Sequence, residues 1–150
     1  MSRDPFDRAV DAILKRDSRY PREAYTLMPV VLEHTLRKRR EAGEESSDGH
    51  LTGQQLCKGF EDYMDSLYGP FALGLLHEMN LRSTEDVGNL VYNLIEEGVF
   101  GKTARDSRQD FREVFDFDEA FRLPFLPDLP PETLAQMEAQ LEARLGSPRP

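Results

Sequence analysis

The sequence predicts a mainly α-helical fold that also contains a small β-hairpin. Apolar residues recur three and four positions apart through most of the first 98 residues, which is typical of amphipathic helices. The pattern changes between residues 99 and 117 to short segments that are partly β-branched and partly aromatic. We therefore expect a single helical domain over residues 1–125, a proline-rich connector over residues 126–131 and a C-terminal helix over residues 132–146.

Two helices are predicted before residue 41. Residues 4–15 carry an apolar face, and Pro21 suits the first position of the second helix, where its missing N–H is not needed. The second helix ends in the basic run 37–40, which interacts favourably with the negative end of the helix dipole. Pro29 lies inside this helix, so we expect a kink or a break near residues 25–27.

The third helix has the clearest start signal in the chain. Thr52 and Gln55 have the spacing of a capping box, and Leu51 and Leu56 have that of a hydrophobic staple. The apolar positions that follow predict a buried stripe on this helix, made of Leu56, Phe60, Tyr63, Met64 and Leu67.

Two further helices are expected before residue 98. A short fourth helix opens at Pro70, carries Phe71 and Leu75 among its apolar residues, and ends at Asn80 in a left-handed conformation. A fifth begins at Ser83 or Thr84 and ends at Gly98. The spacing of Leu94 and Val99 around that glycine predicts a Schellman motif.

A β-hairpin is predicted from residues 99–103 and 111–117, joined by a polar loop. Three helices followed by a hairpin match the element order of a winged helix-turn-helix, so we expect a winged-helix-like segment over residues 51–117. A helical bundle with an unrelated hairpin appended to it remains an equal alternative.

The helix over residues 83–97 would enter the DNA groove in such a fold. It contains no Lys or Arg, and its expected solvent-facing residues are Glu85, Asp86, Asn89, Asn93, Glu96 and Glu97. Because non-specific DNA affinity comes mainly from cations that meet phosphates, nucleic acid is not the expected partner. A DNA-binding regulator remains the runner-up hypothesis, and it would need basic surface from residues 37–40 and from the hairpin.

No catalytic, cofactor or metal site is predicted. Cys57 could act as a nucleophile with His50 or His77, but it borders the apolar stripe of the third helix, where a free cysteine usually acts as a small hydrophobe. The histidines and the cysteine lack the spacing of metal ligands, and the run from Gly98 to Thr103 has the wrong glycine spacing for a phosphate-binding loop.

Carboxylates in residues 106–118 are the basis of a third hypothesis, an enzyme or cation-binding site. On a strand, Asp116 and Asp118 would share one face and could bind a divalent cation or act as acid and base. The interpretation that we favour is structural, with Asp118 capping a short helix and Asp116 pairing with an arginine.

The leading hypothesis is a non-enzymatic protein-interaction or regulatory module. Its expected interaction patch joins the hairpin loop to the C-terminal helix and comprises Lys102, Arg105, Asp106, Arg108, Asp110, Leu134, Met137 and Leu141. The C-terminal helix could pack on its own domain or on a second copy of the chain, which would give a homodimer.

Charge and composition predict an acidic cytoplasmic protein. The net charge of −9 lies in residues 51–150, because residues 1–50 balance ten cations with ten anions. No run of about 20 apolar residues predicts a membrane helix. The start of the sequence lacks the apolar run of a signal peptide, and Cys57 is the only cysteine.

Several short motifs together resemble a family of small bacterial proteins of unknown function, over about Phe6 to Phe125. The motifs are Asp17-Ser18-Arg19-Tyr20, Ala24-Tyr25, Thr52-Gly53-Gln54-Gln55-Leu56, Tyr68-Gly69-Pro70, Ser83-Thr84-Glu85-Asp86-Val87-Gly88, Leu94-Ile95-Glu96-Glu97-Gly98, Gly101-Lys102-Thr103, Asp110-Phe111, Asp116-Phe117 and Ala120-Phe121. The resemblance implies no activity. Pro29 and the helix after Pro131 depart from the family's pattern.

Overall fold

The computed structural model describes residues 4–44, 50–101, 107–126 and 131–145, and none of these residues is in a β-strand. The α-helices are α1 (Pro5–Arg16), α2 (Arg22–Glu41), α3 (Gly53–Tyr68), α4 (Ala72–Glu78), α5 (Thr84–Glu96), α6 (Phe117–Phe121) and α7 (Pro131–Leu145). Short 3₁₀ turns lie at Gly69–Phe71, Arg108–Phe111 and Leu123–Phe125.

The predicted start of α3 is confirmed. The Gln55 backbone N–H donates to the Thr52 hydroxyl at 3.1 Å, and the Thr52 N–H donates to the Gln55 side-chain oxygen at 2.9 Å. Both residues of the predicted staple, Leu51 and Leu56, are buried. These contacts satisfy N–H groups that have no partner inside the helix, so they fix where α3 begins.

The predicted helix ends after α4 and α5 are also confirmed. Asn80 has a φ of 61°, and the next N–H, that of Leu81, donates to the Leu76 carbonyl at 2.8 Å. Gly98 has a φ of 77°, and the Val99 N–H donates to the Leu94 carbonyl at 2.9 Å. Both ends are Schellman motifs, in which a left-handed residue lets the last carbonyls find donors.

Of the kink or break expected in α2, the break is wrong, because the helix runs across Pro29 without interruption. Met28 and Val31, which flank the proline, are fully buried. Burial of these side chains offsets the hydrogen bond that proline cannot donate, which costs an isolated helix about 3 kcal/mol.

The predicted β-hairpin is wrong, and with it the winged-helix-like segment over residues 51–117. Residues 108–111 form a 3₁₀ turn and residues 117–121 form α6. Hydroxyl and carboxylate side chains decide this outcome: Ser107 accepts from the Gln109 N–H at 3.2 Å, and Asp116 accepts from the Glu119 N–H at 3.1 Å. Residues 102–106 lie outside the described part of the chain.

The core surrounds α3, which packs against α2 on one side and against α4 and α6 on another. The two helices α2 and α3 approach each other closely at Gly59, where an added Cβ would lie 1.8 Å from the Thr35 Oγ1. On the side of α6, the Phe60 ring stacks on Phe117 and meets Phe121 edge-on. A small residue on one face and aromatic residues on the other therefore set how closely α3 packs against its neighbours.

Helix α7 stands apart from this core. Residues 135–144 are exposed, and the Arg122 guanidinium donates to Glu138 at 3.2 Å across the gap between α6 and α7.

Among the residues that the structure describes, no helix is both long and apolar enough to cross a membrane.

Candidate functional site

The face of α5 that the sequence predicted to be solvent-facing is instead partly covered by α1 and by the turn between α1 and α2. Asn93 is buried, and it accepts a hydrogen bond from the Arg16 guanidinium at 3.0 Å. Arg16 also forms ion pairs with Glu96 at 3.2 Å and Glu97 at 3.3 Å. Helical periodicity does not reveal that a second layer covers this face, and α5 therefore cannot be a free recognition helix.

The turn Asp17–Tyr20 supplies the rest of this cover. The Asn93 amide donates to the Asp17 carboxylate at 2.9 Å, and the Asn89 amide donates to the Tyr20 hydroxyl at 2.9 Å. The Tyr20 hydroxyl in turn donates to Asp86. A hydrogen bond from Arg19 holds the pKa of Asp17 well below its usual range, while burial raises the pKa of Tyr20 to about 12. This network joins elements of the fold and exposes no reactive group.

The predicted interaction patch is divided by the structure. Lys102, Arg105 and Asp106 lie outside the described residues. The Arg108 guanidinium sits 4.8 Å from the centre of the Tyr92 ring and donates to a side chain of α5 at 3.2 Å. Asp110 accepts from the Ser107 N–H at 3.1 Å. Both described residues of this half of the patch therefore help to hold the 3₁₀ turn in place.

An apolar cavity of about 260 Å³ lies beside that turn, between the start of α3 and the end of α5. Tyr92, Phe100 and Phe111 line it, and Asp110 stands at its edge. His50 also lines the cavity, so its wall combines apolar side chains with a histidine and with the Asp110 carboxylate that caps the 3₁₀ turn.

Asp116 and Asp118 have the two structural roles that we favoured, a helix cap and an ion pair, but each residue has the role expected of the other. Asp116 caps α6, and Asp118 pairs with Arg122 at 3.7 Å. Within the described ranges, His, Cys, Asp and Glu residues form no group of three or more that could hold a metal ion.

Cys57 is fully buried, as its place beside the core stripe predicted. Burial raises the pKa of its thiol to about 12, so the thiolate that a nucleophile needs is absent near neutral pH. Burial lowers the pKa of His77, one of the two histidines considered as its partner.

A pocket of about 390 Å³ between α2 and α3 is lined by several charged side chains. The Asp62 carboxylate lies 2.8 Å from His34 Nε2 and 3.1 Å from Lys38 Nζ, and Arg39 pairs with Glu44 at 3.7 Å. The hydrogen bond from His34 is the largest cause of a lowered pKa at Asp62. These cations already have carboxylate partners, so the pocket presents little unbalanced charge to a ligand.

An apolar groove runs along the opposite side of α3, and we call it the α2–α4 groove. Its volume is about 260 Å³, with α2 and α4 as walls and α3 between them. The side chains that line it are Glu23, Thr26, Leu27, Val30, Met64, Tyr68, Leu75 and Met79.

Two exposed large hydrophobic side chains, Val30 and Leu75, line this groove, and others lie on the chain that follows α6. Phe71, at the start of α4, is 78% exposed. In the described ranges the full set is Val30, Leu67, Phe71, Leu75, Leu123, Phe125, Met137 and Leu141. The predicted patch residues Met137 and Leu141 belong to this set, whereas the Leu134 side chain is outside the described part.

Sequence reasoning missed these exposed residues because it placed Leu67 in the buried stripe of α3 and named Phe71 and Leu75 only as apolar residues of the fourth helix. A signal was present in α4 and the turn before it, where apolar residues form a band too wide for one narrow buried stripe. A short helix on the edge of a domain cannot bury all of them, so some face solvent.

No protein-family model matches this chain, and comparisons with curated proteins and with solved structures find no match.

Proposed function

We propose that this protein is a non-enzymatic interaction module of the cytoplasm, and that it holds a helix of a partner protein in the α2–α4 groove. The observation that carries the proposal is an apolar groove in which two of the lining side chains, Val30 and Leu75, are exposed to solvent. Contiguous apolar surface of this kind marks interaction sites on soluble domains.

The shape of the groove favours a helix as its occupant. Two helical walls over a buried floor, which includes the fully buried Met64, form a trough that takes side chains spaced three and four residues apart. Leu75 and Val30 stand on opposite walls, so an apolar stripe laid between them would contact both.

The test uses a labelled helical peptide of about 18 residues, roughly 27 Å long, with leucines on one face and glutamines elsewhere. We expect saturable binding by fluorescence polarisation and methyl NMR shifts confined to groove residues such as Leu27 and Met79. Leu75→Ser should weaken binding about tenfold or more, because a buried leucine contributes about 1.5–3 kcal/mol.

The matched control is Leu141→Ser, an exposed leucine on α7. It should leave the affinity unchanged. Methyl shifts that map outside the groove, or equal weakening by the two substitutions, would contradict the proposal.

A further inference from the structure

The cavity beside the 3₁₀ turn is a second concave site, and among the described residues it shares no lining side chain with the α2–α4 groove. Leu56 of α3 and Val91 and Ile95 of α5 supply aliphatic parts of its wall. The rings of Tyr92 and Phe111 meet edge-on at the same cavity, with centroids 6.2 Å apart and planes at 86°. Both rings are buried, so packing holds the aromatic part of the wall in one arrangement.

The volume of this cavity limits what it can hold. An apolar cavity of about 150 Å³ accommodates benzene, whereas sites for drug-sized ligands occupy about 300–1,000 Å³. With about 260 Å³, this cavity has room for a single ring or for two fused rings, and not for a larger ligand such as a nucleotide. A flat ring would also give the wall side chains the close contacts that an empty apolar cavity lacks.

Asp110 determines which polar group the ligand carries. Among the described side chains that line the cavity, it is the one with a full charge. Its Oδ2 accepts from the Ser107 N–H at 3.1 Å, and a carboxylate has lone pairs for further donors. Because a carboxylate only accepts hydrogen bonds, a ligand that contacts it must bring the donor. The same carboxylate and the net charge of −9 disfavour anionic ligands.

We infer that this cavity binds a small planar aromatic molecule of one or two rings that carries an N–H donor and no negative charge, as an indole does. The rings lie against the wall that contains Tyr92 and Phe111, and the N–H donates to the Asp110 carboxylate at the edge of the cavity. The apolar wall supplies most of the affinity, and the carboxylate selects the donor. This inference is independent of the helix that we propose for the α2–α4 groove.

The experiment compares indole with benzofuran, which has nearly the same shape but an oxygen in place of the N–H group. Because the chain contains no tryptophan, the fluorescence of indole reports its own transfer from water into the cavity. We expect saturable binding with a blue shift of the indole emission, and methyl NMR shifts at Val91 and Val99. Indole should bind about tenfold more tightly than benzofuran, which is measured by displacement, because only indole donates to Asp110. Indole-3-carboxylate should bind more weakly than indole.

Val99→Phe adds a ring to the wall of the cavity and should weaken indole binding about tenfold or more. Val30→Phe, the same substitution in the α2–α4 groove, is the matched control and should leave the affinity unchanged. Asp110→Asn, whose amide oxygen can still accept from Ser107, should remove the preference for indole over benzofuran.

Three results would overturn the inference. They are the absence of saturable indole binding to the wild-type protein, benzofuran binding as tightly as indole, and methyl shifts that lie outside the cavity. The first two use the wild-type protein alone, so they hold even if Val99→Phe fails to fold.

Discussion

At the scale of single residues, Asn93 and Asp17 connect three helices through one set of hydrogen bonds. The Asn93 amide donates to Asp17 at 2.9 Å and to the Tyr25 hydroxyl at 3.0 Å. Asp17 also accepts two bonds from the Arg19 guanidinium, at 2.9 and 2.7 Å. Because a buried polar group without partners costs about 1–3 kcal/mol, this network penalises any other arrangement of α1, α2 and α5.

Replacing Asp17 with asparagine should destabilise the protein by about 1–2 kcal/mol at pH 7, since charged hydrogen bonds are lost. The hydrogen bond from Arg19 lowers the pKa of Asp17 in the folded state. Its contribution is therefore complete above the unfolded pKa of about 3.9 and declines as the pH falls below that value. Urea unfolding of both proteins at pH 7 and pH 3 measures this.

The stability difference between wild type and Asp17→Asn should be smaller at pH 3 than at pH 7. Asp118→Asn, an exposed carboxylate on α6, serves as the control and should change stability little at either pH. Equal differences at the two pH values for Asp17→Asn would contradict the role given to its ionised carboxylate.

Cys57 gives a second residue-scale prediction. Since its thiol is fully buried and its pKa is raised to about 12, native protein at pH 8 should react slowly with a disulfide reagent such as dithionitrobenzoate. The same protein in denaturant should react at once with one equivalent. Fast reaction of the native protein would show that the thiol is accessible.

At the scale of elements, glycines decide how closely neighbouring segments approach. An added Cβ at Gly88 of α5 would lie 2.8 Å from the Phe111 side chain, and one at Gly53 of α3 would lie 2.7 Å from Asp110. The 3₁₀ turn Arg108–Phe111 thus fits against α3 and α5 only because these two positions lack side chains. Many of the motifs behind the family resemblance have such structural roles, and the resemblance itself stays a prediction.

Gly59→Ala should lower the free energy of unfolding by about 1–3 kcal/mol, because the new methyl group would overlap Thr35 and force α2 and α3 apart. Gly74→Ala is the matched control. Gly74 lies inside α4 with nothing within 4 Å of its added Cβ, so alanine should stabilise that helix by about 0.5–1 kcal/mol. Chemical denaturation separates the two outcomes, and a loss of stability at both positions would refute the packing argument.

At the scale of the whole molecule, α7 is an exposed addition to a packed core. Deletion of residues 131–150 should change the free energy of unfolding by less than about 0.5 kcal/mol, since α7 buries little surface. Phe121→Ala, which empties a fully buried site, should cost about 3–5 kcal/mol. Guanidinium unfolding curves compare the three proteins. A loss above about 2 kcal/mol on deletion would mean that α7 packs on the core in solution.

The homodimer through α7 stays a prediction, and the same deletion tests it. If α7 pairs with a second copy, light scattering should give two chains per particle for the full protein and one after the deletion. An equal number of chains per particle before and after the deletion would contradict a dimer through this helix.

The sequence by itself determined most helix boundaries up to residue 98. The Thr52 capping box and the left-handed ends at Asn80 and Gly98 depend on a few neighbouring residues, so local sequence specifies them. The β-hairpin predicted after residue 98 was wrong because an aromatic-rich run is compatible with a strand or with short turns. Contacts with distant elements decide between them.

Only the tertiary structure decided which apolar and polar faces reach solvent. Periodicity assigned one buried face to each helix, yet α5 is covered on a second face by Arg16 and the Asp17–Tyr20 turn, and Leu67 on α3 is exposed. Whether a face is buried depends on which elements lie beside it, and these come from distant parts of the chain. Local pattern therefore established the helices, whereas the groove between α2 and α4 emerged only from their packing.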